Sequence, residues 1–350
     1  MALLWLLYLI LLIQLAGWIY YAVGAGRNIE SYGYPVGLFA PHPQLDYVYT
    51  PGFAGRFNGA AYQDIDIRIN ETGFRDDGFA PTPGQRARVA VLGDSVVFGA
   101  GVAEPDRFTE RLQAEPPPGM TLEVLNLGVN SYTLSHYVSQ AELEIMDLHP
   151  DLVLVGFTLN DNDPRSRSWP AHQFRDAEAA PSDPGMAEQA RQWAGRLAGA
   201  RMLREVRDRL QFALMNADER EAYHTKWMRR VVETWQDQAI LERVRAELAH
   251  FKMLMQAQGT PYAMVLFPER NDLAKVGSFD VPRQTARRLM EELGMPVCDP
   301  FPRFAQAGDA AALFLPGDSV HFSPAGHRLL RDGIAACLAD GRIPAPRNRP

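Results

Sequence analysis

Between Arg88 and Ala339, short runs of apolar residues alternate with longer stretches of helical periodicity, and this alternation restricts the fold more than any other feature of the chain. Runs such as Val89-Ala90-Val91-Leu92 are apolar at consecutive positions, the pattern of strands buried on both faces. Arg88 to Leu92, Leu122 to Leu127, Leu152 to Phe157, Tyr262 to Phe267 and Met295 to Cys298 are the expected strands. The expected helices are about Pro105 to Gln113, Ser135 to Leu148, Val281 to Leu293 and Pro324 to Ala339. Strand and helix in alternation predict an α/β chain with a parallel sheet covered by helices. In such a sheet, functional side chains collect at the carboxyl ends of the strands.

Three segments fall outside this pattern. From Ala2 to Val23 the only strongly polar side chain is Gln14, and a helix of that length spans roughly 30 Å of hydrocarbon. Trp5, Tyr8, Trp18, Tyr20 and Tyr21 lie near its two ends, at the level of lipid headgroups. Residues 1–25 are therefore expected to form a transmembrane anchor; the alternative is a cleaved signal peptide, with Ala22-Val23-Gly24 or Val23-Gly24-Ala25 as the small-residue site. The first cation is Arg27, so charge does not orient the helix. Residues 26–86, rich in Gly, Pro and aromatics, read as a connecting and covering segment, with the alternating stretch Asp64 to Ile69 as a half-buried strand. The main domain, 87–340, carries an insertion over 164–259 between the third and fourth strands, and 341–350 is a tail. In the insertion Ile240, Leu241, Val244, Leu248, Phe251, Leu254 and Met255 recur at helical spacing, with Gly259 as a stop. Arg201, Arg204, Arg207 and Arg209 are interleaved with Glu205 and Asp208, which reads as a solvated helix face. The insertion is expected to cap the catalytic edge or to dock a partner.

Composition excludes several functions. A net charge of -7 gives no general attraction to nucleic acid or anionic lipid. The chain has no CxxC or HExxH, so no metal or other cofactor is expected. Cys298 and Cys337 form either one disulfide or two buried thiols.

The first apolar strand ends in Gly93-Asp94-Ser95, which places a serine on the functional edge of the sheet. A serine hydroxyl becomes a good nucleophile only when a neighbouring base takes its proton and a third group holds that base. Asp318-Ser319-Val320-His321 supplies both, immediately before a helix for which Ser323 is the expected N-cap. The oxyanion of a tetrahedral intermediate then needs donors. Ser95 offers its own N–H, Gly128 after the second strand a backbone N–H, and Asn160 after the third a carboxamide. Each feature alone fits a turn or a cap; all of them in order at successive strand ends point to nucleophilic catalysis.

In these blocks, Gly93-Asp94-Ser95, Gly128, Asn160-Asp161 and Asp318-x-x-His321, the sequence resembles the SGNH/GDSL hydrolases over about residues 86–340, interrupted by the insertion. The resemblance implies a flavodoxin-like three-layer α/β/α fold, no metal, and acyl transfer from esters to water. Asn70-Glu71-Thr72-Gly73-Phe74-Arg75 is similar to a segment of bacterial members associated with cell-surface polysaccharides, and Arg75 is read as structural. Two departures stand out. Thr158 occupies the glycine position of the family's Gly-x-Asn-Asp, and Asn162-Asp163 offers a second Asn-Asp, although strand length favours Asn160. The first block continues with Val96-Val97 instead of the family's leucine, and Asp94 is expected to fix the turn.

What the resemblance implies is a serine esterase acting outside the cytoplasm on small O-acyl esters, O-acetyl esters of carbohydrate foremost, with Ser95 as nucleophile, His321 as base and Asp318 as its orienting carboxylate. Two competitors remain: an O-acyltransferase of envelope polymers using the same triad, and a non-catalytic envelope scaffold. Protein partners are not legible in the sequence.

Overall fold

The computed structural model describes residues 1–22, 34–35, 37–57, 65–79, 85–165, 197–214, 229–274, 280–316 and 318–347. At its centre five strands lie parallel: β5 (Ala87–Gly93), β6 (Leu122–Gly128), β7 (Leu152–Phe157), β8 (Tyr262–Leu266) and β9 (Val297–Cys298). Their order is β6-β5-β7-β8-β9, so successive connections run in opposite directions from β5. The register sets Gly93 beside Gly128 and Leu92 beside Val155, which brings the carboxyl ends of β5, β6 and β7 together at the point where the strand order reverses.

Burial on both faces follows the two-residue period of the strands. Ala90, Leu92, Leu125, Leu127, Val153 and Val155 face one core, which includes Val244, Leu248, Phe251 and Met255 of helix α6 (Gln238–Ala257). Val89, Val91, Val124, Leu152, Leu154 and Val265 face the other, with Phe108 and Leu112 of α3 (Phe108–Ala114) and Leu330 and Ile334 of α10 (Pro324–Ala339). Between α6 and α10 the chain forms α7 (Arg270–Leu273), α8 (Asp280–Glu292) and α9 (Phe301–Gln306), and helices cover both sides of the sheet, as consecutive apolar strand residues require. Asp237 caps α6 through its carboxylate, and Gly259 follows at φ 58°.

Most predicted elements form within two residues of their expected ends. Two exceed that margin: α3 starts at Phe108, after a 3-10 turn over Glu104–Asp106, and α4 (Leu134–Leu143) stops early and continues as a 3-10 turn over Ile145–Leu148; β9 is reduced to Val297–Cys298 at the sheet edge. A four-residue helix not legible in the sequence, α2 (Ser95–Phe98), starts at the end of β5.

The covering segment contains two antiparallel pairs, β1 (Phe39–His42) with β2 (Asp46–Tyr49) and β3 (Ala54–Phe57) with β4 (Ile65–Arg68). The second contains the alternating stretch expected to be a half-buried strand, and its residues do alternate between buried and exposed. Tyr47 and Tyr49 are buried on the loop after β6, where the Tyr47 hydroxyl donates to Asn130 O at 2.9 Å and the Asn130 N–H donates to Tyr49 Oη at 2.8 Å.

At the amino terminus α1 (Ala2–Ala22) is a continuous helix. Among the described residues no helix is long and apolar enough to cross a membrane, which corrects the expected transmembrane span. One flank of α1 is instead turned to protein. Ile13, Gln14 and Gly17 face α5 (Ala198–Leu214), where Gly17 and Gly199 meet so closely that a Cβ on Gly17 would lie 2.4 Å from Gly199 N. The Gln14 amide oxygen accepts from Gly199 N–H at 3.1 Å and so satisfies an otherwise open donor in the first turn of α5. Leu4, Trp5, Leu11 and Trp18 face outward. Arg204 and Arg207 on α5 are exposed; the side chains of Arg201, Glu205, Asp208 and Arg209, like all of 166–196 and 215–228, lie outside the described residues.

Candidate active site

Ser95 opens α2, directly beyond β5. Asp94 is its N-cap, with Oδ1 accepting from Val96 N–H at 2.9 Å. The turn needs glycine behind it, because a Cβ on Gly93 would lie 2.1 Å from Val97 Cγ2. The other end of α2 is held by Arg75, which is buried and donates to Phe98 O at 3.2 Å, Gly99 O at 2.8 Å and Val102 O at 3.0 Å. Arg75 thus ties the Asn70–Arg75 turn to the far end of the serine helix, as the structural reading required. Burial, then the neighbouring Arg107, lowers its pKa to about 9, still well above neutrality.

The structure brings Ser95, His321 and Asp318 into one line. Ser95 Oγ lies 2.7 Å from His321 Nε2, across 226 positions of sequence, and His321 Nδ1 lies 2.8 Å from Asp318 Oδ2. Asp318 Oδ1 accepts two backbone N–H groups, from Val320 at 2.8 Å and His321 at 2.9 Å. The loop is fastened at several points: His321 O accepts from Leu315 N–H at 2.9 Å, Ser319 O from Arg270 N–H at 2.9 Å, and Ser323 caps α10. Burial works against the charge of Asp318, but the His321 charge and these hydrogen bonds prevail and hold it below the ordinary carboxylate range. For His321, burial opposes the charged form, while Asp318 and then Asp94 outweigh it and raise the pKa. An ionised Asp318 can only accept, so neutral His321 carries its proton on Nδ1 and turns a bare Nε2 to the serine hydroxyl.

The donors divide differently from expectation. The Gly128 N–H is taken by Asn126 Oδ1 at 3.1 Å, which corrects its reading as an oxyanion donor. Glycine is needed there for close packing, since a Cβ would meet Phe98 N at 2.3 Å. In the turn that follows, Tyr132 N–H donates to Val129 O at 3.1 Å and Ser131 adopts φ 64°, the left-handed region that a serine rarely occupies. No described hydrogen bond uses the Ser131 N–H. Ser131 went unnoticed in the sequence because nothing in an ordinary serine announces a positive φ.

The third block is decided by the insertion. The Asn162 carboxamide is buried and donates to Thr234 Oγ1 at 3.1 Å; Arg230 pairs with Asp163, Arg243 donates to Asn162 O, and the Trp235 indole N–H donates to Leu159 O at 2.6 Å. The returning end of the insertion therefore grips the 159–163 loop and removes Asn162 from consideration. Asn160 stays half-buried; its Oδ1 has no partner among the described residues and no described bond uses its Nδ2. His327, the other histidine of the last block, is buried as a neutral acceptor from Phe108 N–H at 3.3 Å; burial, then nearby Arg107, lowers its pKa to about 3. It is structural.

Among the described residues no group of His, Cys, Asp and Glu is arranged to hold a metal ion. What remains is a serine hydroxyl bonded to a histidine whose tautomer is fixed by a carboxylate, together with N–H groups of Ser131 and Asn160 that no described bond uses, an arrangement suited to acyl transfer.

A family model described as GDSL-like lipase/acylhydrolase matches residues 91–329, more than half of the chain. No curated protein matches it. Among solved structures it is similar to an acetylxylan esterase from Geobacillus stearothermophilus, at 16% identity over 76% of this chain and 99% of that one, TM-score 0.43. It is also similar to a lipolytic protein of the G-D-S-L family from Veillonella parvula DSM 2008, at 13% identity over 72% and 98%, TM-score 0.42. A lipase/acylhydrolase from Enterococcus faecalis matches at 14% identity over 75% and 99%, TM-score 0.39. Likenesses this distant do not extend to substrate.

Proposed function

This chain belongs to the GDSL-like lipase/acylhydrolase family and is a hydrolase of the SGNH type; from its site we propose that it cleaves small O-acyl esters, acetyl esters foremost, through an acyl-Ser95 intermediate. The observation that carries this reading is the unbroken hydrogen-bonded line from Ser95 Oγ through His321 to Asp318. In the first half-reaction His321 Nε2 takes the hydroxyl proton as Ser95 Oγ bonds to the acyl carbon, and the carbonyl π electrons move to oxygen. Ser95 N–H, Ser131 N–H and Asn160 Nδ2 are the candidate donors to that oxyanion. As the C–O bond to the alcohol breaks, the imidazolium returns its proton to the leaving oxygen. Water then attacks the acyl-enzyme by the same route and frees Ser95 and the acid.

The test is an ester panel on the purified chain, from acetyl to long-chain acyl groups and including acetylated sugars, each run with and without a free sugar acceptor. Hydrolysis of short-chain esters by the wild type and not by Ser95→Ala is the expected result. Acyl transfer to the sugar in preference to water would replace the hydrolase with a transferase. No turnover of any ester by folded protein would remove the reading.

The place of action is part of the proposal. The outward-facing Leu4, Trp5, Leu11 and Trp18 of α1 support attachment to a membrane, and the Cys298–Cys337 disulfide supports an oxidising compartment outside the cytoplasm. Flotation of the full-length chain with lipid vesicles tests the first, and thiol titration of protein from fractionated cells the second.

A further inference from the structure

Behind Ser95 three buried side chains meet whose protons do not balance as ordinary ionised groups. Thr158 Oγ1 lies 3.1 Å from Asp94 Oδ2 and 2.9 Å from Asp161 Oδ1, and the Thr158 N–H donates to Asp161 Oδ2 at 2.8 Å. All three residues are buried. One hydroxyl has one proton and can donate to only one of the two carboxyl groups. The other must carry a proton of its own and donate it to Oγ1, because two bare carboxylates sharing a buried hydroxyl would repel.

Their surroundings decide which is which. Burial raises the pKa of Asp94, but its Oδ1 accepts from Val96 N–H, its Oδ2 lies 3.5 Å from Ser95 Oγ, and that backbone bond and then the charge of His321 work toward the anion. Asp161 is equally buried but has no cation beside it among the described residues, and burial and then the charge of Asp94 hold its pKa well above the ordinary range. The line therefore runs from the Asp161 O–H to Thr158 Oγ1, and from the Thr158 hydroxyl to the Asp94 carboxylate. The other titratable groups that face it are His321 and Asp318 from the loop before α10, Tyr137 on α4, and Glu269 after β8, with Asp272 and Arg283 beyond Glu269. Glu269 is raised to about 8 by burial and then by Asp272, so it too is mostly uncharged at neutral pH.

We propose that Thr158 is a positioning residue, whose hydroxyl locks one proton between Asp161 and Asp94 so that Asp94 stays anionic beside His321 and, with Asp318, sets the pH at which His321 activates Ser95. The inference rests on the reading of Ser95 as nucleophile. A glycine at position 158, which the family motif carries, would leave the two carboxyl groups without this bridge. Loss of the hydroxyl removes a donor from Asp94, Asp94 then holds a proton more readily, and His321 loses part of the charge that favours its imidazolium.

The experiment measures phosphonylation of Ser95 by a fluorophosphonate probe across pH, which reads the activated serine without knowledge of the natural ester. In Thr158→Val the acid limb of the rate should move to lower pH by about one unit and the plateau rate fall about ten-fold, with Thr158→Ser restoring both. Thr158→Ala is read the same way should Thr158→Val fail to fold. Asp161→Asn, which replaces a neutral acid by a neutral amide, should leave the limb in place. An unmoved limb in Thr158→Val, no restoration by Thr158→Ser, or a limb displaced as far by Asp161→Asn would each overturn the proposal while the esterase reading stands. Absence of labelling in the wild type would instead remove the nucleophile and this inference with it.

Discussion

In the role proposed for it His321 must be neutral to take the serine proton, so its raised pKa has a direct kinetic consequence. The acid limb of kcat/KM should lie above the ordinary histidine value of about 6.5, with activity lost as pH falls through it. A pH–rate profile on an activated acetyl ester measures this, and a limb at or below that value would contradict the influence of Asp318 and Asp94. The same pair affects stability with opposite signs. Asp318, held low, stabilises the fold above its unfolded pKa of about 3.9, and that contribution is lost as pH falls through the folded value. His321, held high, contributes fully below about 6.5 and loses its share as pH rises through its folded value. Substitutions should grade the roles. Ser95→Ala should lower kcat by as much as about 10⁶, with His321→Ala similar and the double variant little worse. Asn160→Ala should cost on the order of 10² to 10³, because backbone donors remain. Asp318→Asn should fall between, since the imidazole stays but can adopt the wrong tautomer. Turnover numbers with circular dichroism to confirm folding decide among these.

The elements that hold the site are joined by a few buried links. Arg75 joins the covering segment to the end of α2 through three carbonyl groups, so Arg75→Leu leaves those acceptors buried and unpaired. It should destabilise the chain by about 3 kcal/mol in urea unfolding and lower kcat more than it raises KM, because α2 carries Ser95. A variant as stable and as active as wild type would show that the covering segment does not position the nucleophile. A second link is the disulfide between Cys298 on β9 and Cys337 on α10, which closes 39 residues around the Asp318–His321 loop. β9 has only two residues in the sheet, and the disulfide fastens this edge to the helix behind it. Cys337→Ala should cost roughly 2–4 kcal/mol by urea unfolding, with kcat near wild type where the variant remains folded.

At the scale of the molecule, the main domain presents its site at the reversal of strand order, while the insertion reaches that site from one side and α1 from the other end of the chain contacts the insertion. α5 rests on α1 through the Gly17–Gly199 contact and the Gln14 amide, so the helix proposed to meet lipid packs on the same insertion whose returning end grips the 159–163 loop. Removing residues 1–33 should abolish flotation with vesicles and leave hydrolysis of a soluble acetyl ester within about three-fold of the intact chain, because the element that α1 packs on is α5, which carries none of the candidate site residues. Flotation of the shortened chain to the same extent would mean that another surface meets the membrane.

Much of this was legible in the chain. Consecutive apolar positions on β5, β6 and β7 could only be satisfied by burial on both faces, and the helical spacing of Val244, Leu248, Phe251 and Met255 could only serve a core, so periodicity alone determined the parallel sheet and its cover. Ser95, Asp318 and His321 were legible because each is placed by a strand end or by the turn before a helix, which are local features. The remaining features depended on contacts between distant segments. Gly128 and Ser131 are three residues apart, and which one keeps an unpaired N–H depends on Asn126 folding back and on a positive φ at Ser131. Asn160 and Asn162 carry the same side chain, and only the arrival of Thr234 from the insertion distinguishes them. The hydrophobicity of α1 was plain from its residues, yet its Gln14 and Gly17 flank faces protein because α5 lies against it. Periodicity reports how a segment meets an average environment, whereas the partner of one N–H, one amide or one glycine is chosen by whichever chain segment fills the last few ångströms, and only the tertiary structure decides that.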